Sequence, residues 1–234
     1  TTLVDTTLRQ TVHVTVGGSR LRVRFSNAFG GAAVPLTAAA VALPVGGQAG
    51  VAGIVAGSSR PLTFGGRSSV VIPVGAQVVS DPVPFPLPAG ANLTVSAYLA
   101  TGQASTSLTS HPGSRTTSHL INGDRHAAAE LPGAVPVDHW YLISGVEVES
   151  SAPGVVIVGD SLTDGRGSTT NGNDRWPDQL FARHPRVAVL NQAAGGNRVL
   201  NDGLGPSVLA RLDRDVLATS GADRLILFEG VNDI

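Results

Sequence analysis

Val155-Val156-Ile157-Val158-Gly159-Asp160-Ser161-Leu162-Thr163-Asp164-Gly165 decides the reading of this chain. Four β-branched residues in a row predict a buried parallel strand, because a strand covered on both faces has no polar alternation. The strand stops at a glycine, and an acid, a serine and a second turn glycine follow. A serine just past the carboxyl end of such a strand lies where open α/β sheets hold their ligands. Ser161 is therefore a candidate nucleophile. The competing reading makes it the N-cap of the helix that follows the loop.

Downstream, the pattern alternates between strand and helix. A helix is expected around Trp176 to Arg183, a second strand at Val187 to Leu190, a helix around Pro206 to Ala218 and a third strand at Arg224 to Phe228. Proline suits the first turn of a helix, which places Pro206. The order β-α-β-α-β predicts a parallel sheet with right-handed crossovers, about half of a doubly wound domain. A sheet of three such strands is expected to leave an apolar edge, so this α/β domain reads as incomplete at its C-terminus.

Upstream, residues 1–150 read as all-β. Thr11 to Val16 alternates with period two, Gly17-Gly18 signals a hairpin, and Leu21 to Phe25 alternates again, with Arg22 and Arg24 facing water. Further strands are expected at Pro61 to Phe64, Ser69 to Val74, Leu93 to Leu99 and Trp140 to Val148. Short strands punctuated by Gly and Pro predict a β-sandwich or jelly roll. Asp81 to Pro88 carries four prolines in eight residues, which confines it to an edge or a connection. Ser150-Ser151-Ala152-Pro153-Gly154 reads as a linker. The expected domains are thus 1–150 and 151–234.

The composition narrows the classes of function. The chain has 234 residues and a formal net charge of −1, with no basic run. This argues against nucleic acid or an anionic membrane surface as the partner. No apolar run approaches the roughly 18 residues of a transmembrane helix. All 16 basic residues are arginine, and there is no cysteine or methionine. Thiolate metal sites and disulfides are excluded. The missing initiator methionine, together with the sequon Asn92-Leu93-Thr94 as a possible glycosylation site, leads to the expectation of a processed, secreted protein.

Three loops leave the carboxyl ends of the three expected parallel strands on one side of the sheet. They offer Gly159-Asp160-Ser161, Asn191 to Asn197 with Gly195-Gly196-Asn197, and Gly230-Val231-Asn232-Asp233. A serine, a glycine-rich turn and an asparagine are the parts that acyl transfer needs: an attacking hydroxyl, with N–H donors for the oxyanion. In these three blocks the sequence resembles the SGNH (GDSL) hydrolase family. Arg22 to Asn27, Leu62 to Gly66, Ser80 to Val83 and Arg175 to Asp178 also resemble a secreted microbial subgroup with an N-terminal β domain. The resemblance implies a flavodoxin-like α/β fold and a serine ester hydrolase. It makes Ser161 the nucleophile and forms the oxyanion hole from the Ser161 N–H, the Gly196 N–H and the Asn232 amide, with Gly195 as the alternative glycine. The G-x-S-x-G elbow of α/β-hydrolases is absent.

The family's Asp and His block has no match here. The expectation is a C-terminal fragment of the same precursor that supplies both residues. Of the six histidines, His184 alone lies in the α/β part, and it reads as a helix-end residue. His111 and His119 flank a polar loop, Pro112 to Ser118, that is a candidate for the site's rim. His13, His126 and His139 suggest no catalytic role. Asp160 is a candidate support for the serine loop or a plain helix cap. Asp164, Asp174, Asp202 and Asp233 lack metal-ligand spacing, and no cofactor is expected. Trp176 is a candidate for the acyl pocket or for the core. The partner is an ester substrate, small or polysaccharide. The alternative function is a non-catalytic module that binds a glycan or acyl ligand.

Overall fold

The computed structural model describes residues 2–234 and places the apolar run in strand Gly154–Gly159, buried at every position. It is the middle strand of a three-stranded parallel sheet, between Ala188–Asn191 and Ala222–Phe228. Helix Trp176–Arg183 falls where the sequence predicts it. The second helix is shorter than expected: Val208–Leu212 is α-helical, and Asp213–Leu217 continues as a π-helical turn. Ser207 caps it, its hydroxyl accepting from the Ala210 N–H at 3.2 Å. Val156 and Val158 form the small core of this sheet with Val208.

The third strand is the apolar edge that the sequence leads one to expect. Leu225, Ile226, Leu227 and Phe228 are 45%, 38%, 52% and 52% exposed. It pairs with the middle strand alone among the described residues, so its other edge is open.

The chain divides into two compact units. One runs to Pro112 and includes Thr116–Glu149; the other joins Gly113–Arg115 to Ser150–Ile234. The chain is mostly β, and the first unit is built from antiparallel sheets. The largest has six strands in the order Val135–Val137, Ser118–Asn122, Thr6–His13, Asn92–Leu99, Ala38–Ala42 and Arg60–Pro61. A second sheet centres on Gly18–Ser26, paired with Ile143–Val148, Gln77–Val79 and Val83–Leu87. Leu21, Val23 and Phe25 from this sheet share one core with Leu93, Val95, Ala97 and Leu99 from the other. Among the described residues the proline-rich segment pairs with Gly18–Ser26 alone, as an edge strand does.

The expected hairpin at Gly17-Gly18 does not form. Thr6–His13 pairs with Asn92–Leu99 and Ser118–Asn122, while Gly18–Ser26 belongs to the second sheet. Neither glycine carries the positive φ that a two-residue hairpin turn favours. The expected strand Trp140 to Val148 is also split. Leu142, buried with φ +62°, separates Trp140–Tyr141 from Ile143–Val148, and the two pieces join different sheets.

Strand Thr6–His13 also buries the face that its alternation would turn to water. Arg9 on that face is completely buried. Its guanidinium donates to the Ser96 hydroxyl at 2.9 Å, to Ala52 O at 2.8 Å, and to the carbonyls of Arg125, His126 and Ala128 at 3.2, 3.2 and 2.8 Å. Burial pulls its pKa down to about 10, partly offset by Glu130. Replacing it strands five buried or part-buried acceptors, each costing a desolvation penalty. Arg9→Met is expected to lower the unfolding free energy by about 3 kcal/mol, read from the urea midpoint at constant m-value.

Candidate active site

The site begins at the end of the middle strand. Gly159 ends it because nothing larger fits: a Cβ there would lie 2.5 Å from Thr163 Oγ1 and 2.9 Å from the Phe228 carbonyl. Asp160 follows with extended backbone and caps the one-turn helix Ser161–Asp164, accepting from the Leu162 N–H at 2.9 Å. The cap is therefore Asp160, and the N-cap reading of Ser161 is excluded. Ser161 is the first helical residue, half-buried, with its carbonyl taken by the Gly165 and Arg166 N–H groups at 3.0 and 2.8 Å. Gly165 closes the turn in the left-handed conformation.

Neighbouring groups hold this turn in place. Asn191 Nδ2 donates to Thr163 O at 3.0 Å, and Trp176 Nε1 to Thr163 Oγ1 at 3.1 Å. The Trp176 ring meets Phe228 edge-on at 6.5 Å. Arg175 Nε donates to Asp164 O at 3.0 Å, and its other end donates to Ser114 O. The segment Gly113–Arg115 is thereby fastened to the serine turn, as is Gly113, whose Cα proton side faces the Asp164 carboxylate too closely for any side chain. The polar loop singled out in the sequence thus does reach the site, through its residues 113–115.

A cleft of about 220 Å³ opens here, lined by Gly113, Arg115, Ser161, Asp164, Arg166 and Gly195. Of the two candidate oxyanion glycines, Gly195 shares the cleft with Ser161. Its N–H donates to Asp164 Oδ2 at 3.0 Å. Gly196 has φ +72° and packs toward Leu204. Asn232 Nδ2 donates to Asn197 O at 2.9 Å, and Asn197 Oδ1 accepts from the buried Arg211 at 2.6 Å. The three loops are therefore tied together: Ala194 N–H to Gly159 O at 2.9 Å, Gly195 to Asp164, and Asn232 to Asn197.

The remaining candidates sit elsewhere. His184 ends helix Trp176–Arg183, its N–H donating to the carbonyls of Leu180 and Phe181, and its side chain is exposed. In the first unit, the His111 ring lies tilted against Trp140, His119 Nε2 meets Gly50 O at 3.0 Å, His126 pairs with Asp124, and the His139 ring lies tilted against Tyr141. His13 Nδ1 meets Asn92 Oδ1 at 3.3 Å, while Asn92 Nδ2 donates to Gly47 O at 2.9 Å and Thr94 of the sequon is fully buried. The acidic loop residues hold backbone N–H groups: Asp174 that of Thr169, Asp202 that of Ser207, and Asp233 that of Val199. Among the described residues, no three His or acidic side chains cluster as metal ligands.

One site residue escaped the sequence reading. Glu229 follows Phe228, which pairs with Gly159, so Glu229 and Asp160 leave adjacent strands side by side. Both Glu229 carboxylate oxygens are shielded and meet no donor. Burial and the neighbouring Asp160 carboxylate push its pKa from 4.5 up to about 7, with Asp233 adding and Arg211 opposing. Two acceptors can bond only when one carries a proton, so a protonated Glu229 suits Asp160.

Residues 157–234 match the GDSL-like Lipase/Acylhydrolase family. That match takes in the three blocks and bears out the resemblance seen in them. No curated protein matches the chain. Similar solved structures include a Corynascus thermopiles (Myceliophthora fergusii) carbohydrate esterase family 2 enzyme with a carbohydrate binding domain, at 11% identity and TM-score 0.29, with 96% of this chain and 62% of that one covered. A family two carbohydrate esterase from Cellvibrio japonicus is 14% identical, with TM-score 0.28 and coverage of 100% and 65%. The chain therefore spans less than two thirds of either structure's length. No helix among the described residues is long and apolar enough to cross a membrane.

Because the folded pKa of Glu229 lies above its unfolded value, the folded state holds the extra proton. Its stabilising contribution is full below pH 4.5 and is lost as pH rises through about 7. The melting temperature is expected to fall over this window, and Glu229→Gln, which keeps a donor at all pH values, is expected to flatten the fall.

Proposed function

We propose that the protein is a serine hydrolase of carboxylic esters, with Ser161 as nucleophile. The observation that carries this reading is the placement of Ser161 at the first position of a capped helical turn, at the end of the buried middle strand, in a cleft it shares with Gly195. The strand order, with the serine strand between the other two, puts the topological switch beside this loop, where doubly wound sheets bind ligands. This order also supports a flavodoxin-like core for residues 151–234 as the hydrolase domain, and the antiparallel sheets of the first unit support a β-sandwich domain for residues 1–150, from which Gly113–Arg115 cross to the other unit.

In this mechanism the Ser161 hydroxyl attacks the ester carbonyl and gives its proton to a general base. The oxyanion forms against N–H donors of the Ser161 turn and the 195–196 turn, with the Asn232 amide as the third donor. The alkoxide leaves with the proton, and water hydrolyses the acyl-serine by the reverse path. Gly195 or Gly196 fills the second position; use of Gly195 requires its N–H to leave Asp164. The base is a histidine on an Asp-His segment of the same precursor, as the resemblance implies, and Asp160 supports the serine turn.

The protein together with the segment that carries the histidine is expected to hydrolyse p-nitrophenyl acetate and to be labelled at Ser161 by a fluorophosphonate. Ser161→Ala is expected to lose both, with a rate loss of at least about a thousandfold. Unchanged turnover by the variant would falsify the assignment.

A further inference from the structure

Arg115 and Arg166 line the Ser161 cleft, yet neither takes part in an ion pair among the described residues, whereas Arg175, Arg211 and Arg214 each pair with an aspartate. Arg115 Nε is closed to solvent and has no hydrogen-bond partner. A buried guanidinium donor without an acceptor is a costly arrangement that a ligand would relieve. The backbone points the same way. Arg115 has φ +53°, a conformation that non-glycine residues hold only where their surroundings impose it, and such residues gather at ligand sites. Here the surroundings do impose it: Ser114 O is held by Arg175, and Arg115 O by the Asn171 N–H at 2.8 Å. Asp164, the single carboxylate of the lining, is occupied by the Gly195 N–H.

We propose that Arg115 and Arg166 form an anion-recognition subsite beside Ser161, which selects esters carrying a carboxylate or phosphate close to the scissile bond. The inference rests on Ser161 as the reacting residue. A guanidinium suits the task because it stays charged and presents a planar fork to two oxygens of one anion. Arg115, fixed from both sides, orients the anion. Arg166, exposed at the end of the serine turn, draws it in.

The test compares anionic and neutral esters of matched shape. For an anion on the acyl side, mono-p-nitrophenyl glutarate is set against its methyl ester; for one on the alcohol side, 3-acetoxybenzoate against its methyl ester. In one of the two pairs, the ratio of kcat/KM values is expected to favour the anion, to shrink in 1 M salt, and to fall about tenfold in Arg115→Gln and in Arg166→Gln. Because Arg166 is exposed, its variant reads the subsite without endangering the fold. Ratios that are the same in wild type and both variants overturn the proposal. If no ester turns over, the hydrolase reading fails separately, and calorimetric titration of monomethyl glutarate decides the subsite. Binding that weakens about tenfold in the double variant supports it; no binding, or equal affinity, overturns it.

Discussion

A single hydrogen bond, from the Leu162 N–H to the Asp160 carboxylate, sets how the serine turn is built. Strand Gly154–Gly159 is held on both sides by parallel neighbours and cannot shift without breaking both ladders. Its last residue admits no side chain, so the chain must turn at once. The Asp160 cap decides how it turns, starting the helix at Ser161 and freeing the serine hydroxyl from capping. Asn191, Trp176 and Arg175 then fasten that turn from three other segments. The serine is fixed by a rigid backbone rather than by its own side chain.

The α/β half was legible because its signals are local. An unbroken β-branched run, a helix starting at Trp176 with Asp178 accepting the Arg175 N–H, and glycine-rich turns each carry their meaning within a few residues. The all-β half was less so. Thr11 to Phe25 looks like a hairpin because alternation and Gly-Gly are there, but alternation does not say which strand is the partner, and Thr6–His13 finds both of its partners some 80 or more residues away. Strand Ala38–Ala42 carries almost no strand signal. It exists because Ala39 and Val41 fit against Ala97 and Val95 in the shared core. Glu229 was missed, and Arg115 was seen only as part of its loop, for the same reason: what marks them is what they lie beside, not what precedes and follows them.

Five acidic residues of the α/β half share one role. Asp160, Asp164, Asp174, Asp202 and Asp233 each accept a backbone N–H in a loop. With charged residues only 14% of the chain, carboxylates substitute for regular structure in holding the loops, which explains their scatter along the sequence. Asp215 instead pairs with Arg211 and Arg214, and Glu229 meets no donor and faces another acid.

The guanidinium of Arg9 has a consequence for how the first unit forms. Its acceptors lie 43, 87 and 116 to 119 residues away along the chain. Desolvating the cation before those carbonyls arrive would be prohibitive. The strand that carries it therefore docks only when the segments around Ala52, Ser96 and Arg125 to Ala128 close together. This makes assembly of the six-stranded sheet an all-or-none event of high contact order, hence slow, with few stable partial forms along the way.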